Sequence, residues 1–343
     1  MRNDLKAGME NFKDTIWEIV ENAESIGIAG HVRPDGDCIG SVTSLFLYLK
    51  KVFPQKRVAA YAEFVPEEFQ FLKGSSELLG EEKFKETEKY DVFVSLDCGA
   101  AERLGNAEKL FTQASTTVNI DHHVSNELFA DHNYVQGEKS STSEVLFSLL
   151  DEKWMDKEIA EALYLGIIHD TGVFRHSNTS PETLAIAGKL IGYGIPFSRM
   201  IDETFYQKTF KQNQILGSCL LRSRLHLGGK VISSYIDRET MQREQAVSSD
   251  LDGIVDQLRI TKGVQAAIFL HELEDGKITE AYRKYIGKLP VYKVSMRVND
   301  VVDVSRIAVL YGGGGHKKAA GCTMAGTHEE IIKKLLEEIK KQL

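Results

Sequence analysis

The chain has 343 residues, 42% of them hydrophobic, and a formal net charge of −8. That length fits two domains with real cores, the acidic balance argues against a protein that coats nucleic acid, and no apolar run reaches the roughly 18 residues of a membrane span. The cysteines (Cys38, Cys98, Cys219, Cys322) form no CxxC pair, so they read as reduced thiols of a cytoplasmic protein, with neither a disulfide frame nor zinc-finger spacing.

The leading MRNDLKAGMENFKD is polar and helical in character, without the basic start and apolar run of a signal peptide. SIGIAG (25–30) predicts a strand, CIGSVTSLFLYLKK (38–51) a helix and RVAAYA (57–62) a strand. DVFVSLD (91–97) and TTVNID (116–121) predict strands that each end on an acid. TSEVLFSLLDE (142–152) and DKEIAEALYLGIIHDTG (156–172) have helical spacing. This alternation predicts an α/β domain with a doubly wound, mostly parallel sheet and helices on both faces.

FSRMIDETFYQKTFKQNQILGSCLLR (197–222) reads as one long connecting helix. Beyond it, LHLGGKVISSYID (225–237) and VQAAIFLHELEDGKITEAYRKY (264–285) read as strand pairs turned at Gly-Gly and Asp-Gly. VYKVSMRVND is a strand, VDVSRIAVLYGGGGHKKAAG ends in a glycine-rich loop, and HEEIIKKLLEEIKKQL closes the chain as an amphipathic helix. The expected organisation is a catalytic domain over 1–196, a helical linker over 197–222 and a smaller α/β domain over 223–343, with an active-site cleft between them. Residues 1–221 carry twelve more acids than bases, and 222–343 four more bases than acids. One half could gather metal ions and the other phosphates; ordinary solvated charge is the alternative.

In an open parallel sheet, ligands bind outside the carboxyl ends of the strands. His31 follows the first strand, Asp97 closes the strand 91–97, and Asp121, His122 and His123 close 116–121. Asp170 ends a long helix in HDTG. A single strand-end acid is often a helix cap, but four segments converging on one edge are hard to attribute to capping. In HVRPDGD, the turn lets His31, Asp35 and Asp37 face one point, with Gly36 keeping the bend unhindered. Oxygen and imidazole donors without thiolate suit Mn²⁺, with Co²⁺ or Mg²⁺ as alternatives, better than a structural Zn²⁺. The number of carboxylates allows two ions, which together can activate water and stabilise the leaving oxygen of a phosphate ester.

HVRPDGD, SLDCG, NIDHH and IIHDTG together resemble the four metal-site motifs of the DHH phosphoesterases, in that family's order. YGGGGHKKAAG resembles the glycine-rich motif of the DHH-associated substrate domain. The subgroup most similar is the bacterial oligoribonuclease and 3′-phosphoadenosine-5′-phosphate (pAp) phosphatase type, with cyclic-dinucleotide phosphodiesterases as neighbours. The resemblance implies that His31, Asp35 and Asp97 hold one Mn²⁺, and that Asp37, Asp97, His122 and Asp170 hold the other, with Asp97 bridging. His123 would face the reacting phosphate, and Asp121 would orient the histidines. Gly312, Gly313, Gly314, Gly315 and His316 would hold a substrate phosphate, and Arg297 would pair with a phosphate or terminal nucleotide.

Relatives commonly pass from a Gly-Lys turn straight into a Ser-Leu-Arg-Ser strand. Here roughly ITEAYRKYIGKL intervenes, and the strand reads Ser295-Met296-Arg297-Val298. These departures bear on the substrate pocket and not on the metal set.

Glycines without side chains let backbone N–H groups surround a phosphate, and an arginine suits a bidentate phosphate contact. Arg103, Arg175 and His176 are candidate substrate contacts, with a plain surface role as the alternative. Arg283, Lys284, Lys288, Lys317 and Lys318 form either a basic rim or a solvated face. His132, His226, His271 and His328 have no motif around them and read as structural.

The expected activity is Mn²⁺-dependent exonucleolytic hydrolysis of short oligoribonucleotides and linear dinucleotides to nucleoside monophosphates, with pAp as a further substrate and a homodimer as a candidate assembly. The rivals are a cyclic-dinucleotide phosphodiesterase, an inorganic pyrophosphatase and a nucleotide sensor without catalysis.

Overall fold

The computed structural model describes residues 13–85, 87–299 and 301–343. It divides into two compact units, Met1–Gln207 and Lys208–Leu343. The expected helical character of the first fourteen residues lies almost wholly outside the described residues; a helix covers 13–22.

The first unit is built on five parallel strands: β1 (Ser25–Ala29), β2 (Arg57–Tyr61), β3 (Val92–Leu96), β4 (Thr116–Asp121) and β5 (His132–Val135). Their order is β2-β1-β3-β4-β5. The direction of strand addition reverses between β1 and β3, which pair from Ile26↔Val92 to Ala29↔Ser95. The carboxyl ends of these two strands therefore flank the switch point of a doubly wound sheet, where such folds place ligands. β3 is buried along its whole length, as a central parallel strand covered on both faces must be.

The helices that position the site are α1 (Gly36–Val52), α2 (Thr142–Leu149), α3 (Lys157–Asp170) and α4 (Pro181–Gly192). Asp35, Ser141 and Asp156 cap the first three, each side chain accepting from backbone N–H groups of the opening turn. α1 and α3 cross in close contact at Gly40, where an added Cβ would lie 2.4 Å from the Ala162 carbonyl oxygen. The opposite face of the sheet carries an aromatic cluster of Tyr61, Tyr90, Phe93 and Phe111. β5 and α4 are not anticipated from sequence: β5 is a short edge strand, HNYV, with weak alternation.

The single helix expected over 197–222 is broken. Phe197–Ile201 is α-helical, Asp202–Tyr206 winds into a π-turn, and Gln207 is extended. A new helix, α5 (Phe210–Leu221), then starts on a Thr209 and Gln212 capping box. That T-x-x-Q signal competes with the continuous apolar spacing and wins.

The second unit has six strands: β6 (Arg224–His226), β7 (Val231–Ile236), β8 (Ala266–Glu272), β9 (Val291–Val298), β10 (Gly314–His316) and β11 (Ala319–Ala325). Their order is β10-β11-β9-β8-β7-β6, with β7 and β8 parallel and the other neighbours antiparallel. β6 and β7 turn at Gly228 and Gly229 as expected. The Asp-Gly pair at 275–276 does not turn a hairpin. Residues 275–277 and 280–285 form 3₁₀ turns, and β8 pairs instead with β9. The glycine run is also not a free loop, because Gly314–His316 pairs with β11.

One face of this sheet packs Ile268, Val294 and Met296 against α7 (Val304–Leu310) and α8 (His328–Lys340). The other face packs Ile232, Ala267 and Phe269 with α5 and α6 (Ile254–Arg259). No helix among the described residues is long and apolar enough to cross a membrane.

The helix contact at Gly40 has no room for a methyl group. Gly40→Ala should destabilise the protein by about 1–3 kcal/mol, seen as a lower urea midpoint of the first transition with an unchanged slope.

Candidate metal centre

Four segments deliver the donors. His31 lies just beyond β1, Asp35 is the cap of α1 and Asp37 sits in its first turn. Asp97 follows β3, Asp121 ends β4 with His122 and His123 after it, and Asp170 ends α3. Asp97 adopts a positive φ of 57°, a region that aspartate tolerates better than most residues. Strain of this kind persists where the surroundings over-determine the backbone.

The two carboxylate oxygens of Asp97 face different partners. Oδ2 lies 3.4 Å from His31 Nε2, which is also 3.7 Å from Asp35 Oδ1. Oδ1 lies 3.7 Å from His122 Nε2 and 3.7 Å from His123 Nδ1. His122 Nε2 is 3.0 Å from Asp170 Oδ2. Donor atoms of three trios fall within 4.8 Å of one another: His31, Asp35 and Asp97; Asp37, His122 and Asp170; and Asp97, His122 and His123. The structure thus brings His31, Asp35, Asp37, Asp97, His122 and Asp170 to one place.

Asp121 is fully buried. It accepts from His123 Nδ1 at 2.7 Å and from Asn126 Nδ2 at 2.6 Å. This fixes the imidazole with its proton on Nδ1.

A second layer comes from residues 139–144, of which the sequence pattern marks only 142–144, as the start of a helix. Backbone N–H groups of Thr142 and Ser143 donate to the two oxygens of Asp37 at 2.6 and 2.9 Å. Thr142 Oγ1 donates to Asp97 Oδ1 at 3.0 Å. The Lys139 carbonyl takes a longer bond, 3.4 Å, from His122 Nδ1. Beneath them Glu144, itself wholly buried, accepts from Ser140 Oγ at 2.5 Å and Thr183 Oγ1 at 2.7 Å. The S-x-x-E capping signature at 141–144 was the available clue.

Gly36 has a different reason from the one expected. Its bend is ordinary, but the ring of His169 sits 2.1 Å from where a Cβ would be. That ring is wedged between Phe69 and Phe205, and burial lowers its pKa to about 4.

Charge is the dominant feature of the site. Burial, then the neighbouring Asp97 and Asp170 charges, hold Asp37 well above the usual carboxylate range. Asp170 is raised by burial too, against the pull of His122. Burial opposes a charge on His31 and His122, yet the surrounding carboxylates push both up to about 10. Buried carboxylates in this number are stable only when paired with cations or bound to metal, and a set of oxygen and imidazole donors suits hard or borderline divalent ions. The donor set therefore fits a divalent metal centre.

Other candidates fall outside this cluster. Arg103 is exposed, its backbone N–H donating to the Ala100 carbonyl at 3.1 Å and its carbonyl accepting from Val32 N at 2.8 Å. Arg175 is exposed. His176 Nδ1 donates to the Asp170 carbonyl at 3.1 Å, so it buttresses the turn behind that acid. Cys38 and Cys98 are buried, and burial raises both thiols, which disfavours the reactive thiolate.

In the second unit, Arg297 and Gly312–Gly315 line one cavity of about 840 Å³, and His316 follows on exposed β10. Gly313 must be glycine because the Gly321 carbonyl lies 2.1 Å from the Cβ position, and Gly315 has a φ of 138°.

Comparison with known proteins agrees with this geometry. Residues 25–167 match the model of the DHH family N-terminal domain, and residues 228–343 that of the DHHA1 domain. The chain is 29% identical over 337 residues to the bifunctional oligoribonuclease and PAP phosphatase NrnA of Thermus thermophilus, covering 96% of this chain and 93% of that protein. The protein of the same name from Bacillus subtilis is 27% identical over 306 residues, 88% of this chain and 90% of that one. An exopolyphosphatase-related protein from Bacteroides fragilis superimposes with a TM-score of 0.82 at 25% identity, covering 97% of this chain and 96% of the other. The chain therefore carries a DHH family N-terminal domain over residues 25–167 and a DHHA1 domain over residues 228–343.

Proposed function

We propose that this protein hydrolyses short oligoribonucleotides and linear dinucleotides to nucleoside monophosphates, and dephosphorylates pAp, using two divalent ions, Mn²⁺ first. The observation that carries this reading is the orientation of Asp97, whose two oxygens address two separate groups of donors. The names of the curated relatives support the substrate class.

His31, Asp35 and Asp97 would hold one ion, and Asp37, Asp97, His122 and Asp170 the other. Bound there, divalent ions supply activation of water and neutralisation of phosphate charge. Thr142 holds the Asp97 carboxylate in the orientation that serves both sites. Asp121 anchors the His123 ring through Nδ1 and raises its pKa, which favours a protonated Nε2 able to donate to a phosphate oxygen. Arg297 and the glycine hairpin would take up a phosphate in the cavity of the second unit.

The direct test compares initial rates with Mn²⁺ on pAp, linear diadenylate, cyclic diadenylate and a five-nucleotide RNA. Linear diadenylate and pAp should be fastest. A faster cyclic substrate would move the protein to cyclic-dinucleotide turnover. No hydrolysis of any of them by folded, metal-loaded protein would replace the enzyme reading with nucleotide binding.

Asp97→Asn should lower kcat on linear diadenylate by on the order of 10³-fold. The metal-free variant should melt no lower than the parent, because one member of a repelling buried set has lost its charge. Thr142→Val should weaken Mn²⁺ binding about tenfold, measured by titrating the ion back into chelator-treated protein and following activity.

A further inference from the structure

β8 and β9 are antiparallel neighbours whose pairing runs to Glu272↔Tyr292. A turn of two to five residues would join them. Residues 273–290 do so instead; most of them are exposed, but the segment is anchored to the sheet. The segment buries Ile278, folds back across β9 and reaches β11, where the Tyr282 hydroxyl donates to the Thr323 carbonyl at 2.5 Å. That carbonyl lies beyond the end of β10, which pairs only as far as Gly314↔Gly321.

The ground beneath the segment is the open part of the sheet. Lys293, Ser295 and Arg297 alternate with buried residues along β9 and share one face. On β8 the same face is closed, Ala267 and Phe269 packing with α6. On the β11 side the residues opposite Arg297, Ser295 and Lys293 are Ala319, Gly321 and Thr323, too small to fill the space. This is the floor of the cavity of about 840 Å³. Arg297 and the glycine hairpin stand at one end, with Asp256 3.6 Å from Arg297 Nε. Tyr282 and Lys293 stand at the other, and Lys277, 3.6 Å from Glu274, rises on the same wall. Lys293 and Arg297 are four residue steps apart along β9, roughly 13 Å.

We propose that residues 273–290 form a substrate-selecting wall, in which the Tyr282 ring stacks on the terminal base of a short ribonucleotide while Lys293 and Arg297 hold phosphates at the two ends of the cavity. A nucleotide bound in the cavity would meet the Tyr282 ring at its end, so the pocket takes an end and not a passing chain. The proposal rests on the nucleotide-hydrolysing reading above and adds a length-determining element to it. An aromatic face accepts any base, so the wall selects length and end group over base identity.

The test uses the full chain with Mn²⁺ and compares linear diadenylate with a five-nucleotide RNA. Tyr282→Ala should raise KM for diadenylate about tenfold, with the loss falling in KM more than in kcat. Tyr282→Phe keeps the ring and should stay within about threefold of the parent. Replacing 275–288 by an Asn-Gly turn should shift the kcat/KM ratio toward the five-nucleotide RNA by about tenfold or more, with melting curves checking that the fold is kept. Parent-like KM values in Tyr282→Ala, or an equal loss in Tyr282→Phe and Tyr282→Ala, would overturn the stacking role. If the parent hydrolyses diadenylate while the shortened variant keeps the parent's length preference, the wall fails and the proposed function stands. If the parent hydrolyses neither substrate, the reading beneath the proposal fails with it.

Discussion

Asp37, Asp97 and Asp170 share one buried space, and their mutual repulsion is the constraint around which the first unit is organised. Burying carboxylates without compensation is prohibitive. Three compensations are visible. His31 and His122 lie against the acids, and their protonated forms are favoured. The first turn of α2 points two backbone N–H groups at Asp37, where the positive end of the helix also favours an anion. The donor geometry accepts divalent ions. The first two hold the site together, and the third fits it to hold a metal ion.

That arrangement demands a rigid frame. Asp97 sits in a left-handed conformation at the end of the most buried strand, and the Thr142 hydroxyl holds one of its oxygens. α3 crosses α1 so closely that Gly166 leaves room for the Asp37 carboxylate, whose Oδ1 is 2.4 Å from the missing Cβ. The buried Glu144 network beneath ties residues 139–143 to α4. Site and core are therefore one packing problem, and a change in helix spacing is felt at the carboxylates.

The second unit solves a different problem. Its sheet is covered by helices on one face and only partly covered on the other. The gap over β9 and β11 exists because small residues on β11 face polar residues on β9. Cations accumulate there, in contrast to the acids of the first unit, as the charge division along the chain foreshadowed.

Much of this was legible in the chain itself. Strand-ending acids in SLD and NID, the HVRPDGD turn and HDTG pointed to the residues that cluster, because a doubly wound sheet sends its strand ends to one edge. Local capping and apolar spacing placed α1, α2 and α3 to within a few residues. What the chain alone did not disclose depends on contacts distant in sequence. Gly36 is glycine because of His169, 133 positions away along the chain. KSSTSE is a support for Asp37 and Asp97 only once α2 is docked beside α1. The 273–290 segment, which reads as half a hairpin, is a wall because β8 finds its partner in β9. Residue type and period determined which groups could do chemistry; tertiary packing decided which of them meet, since burial and repulsion act only between groups the fold has brought together.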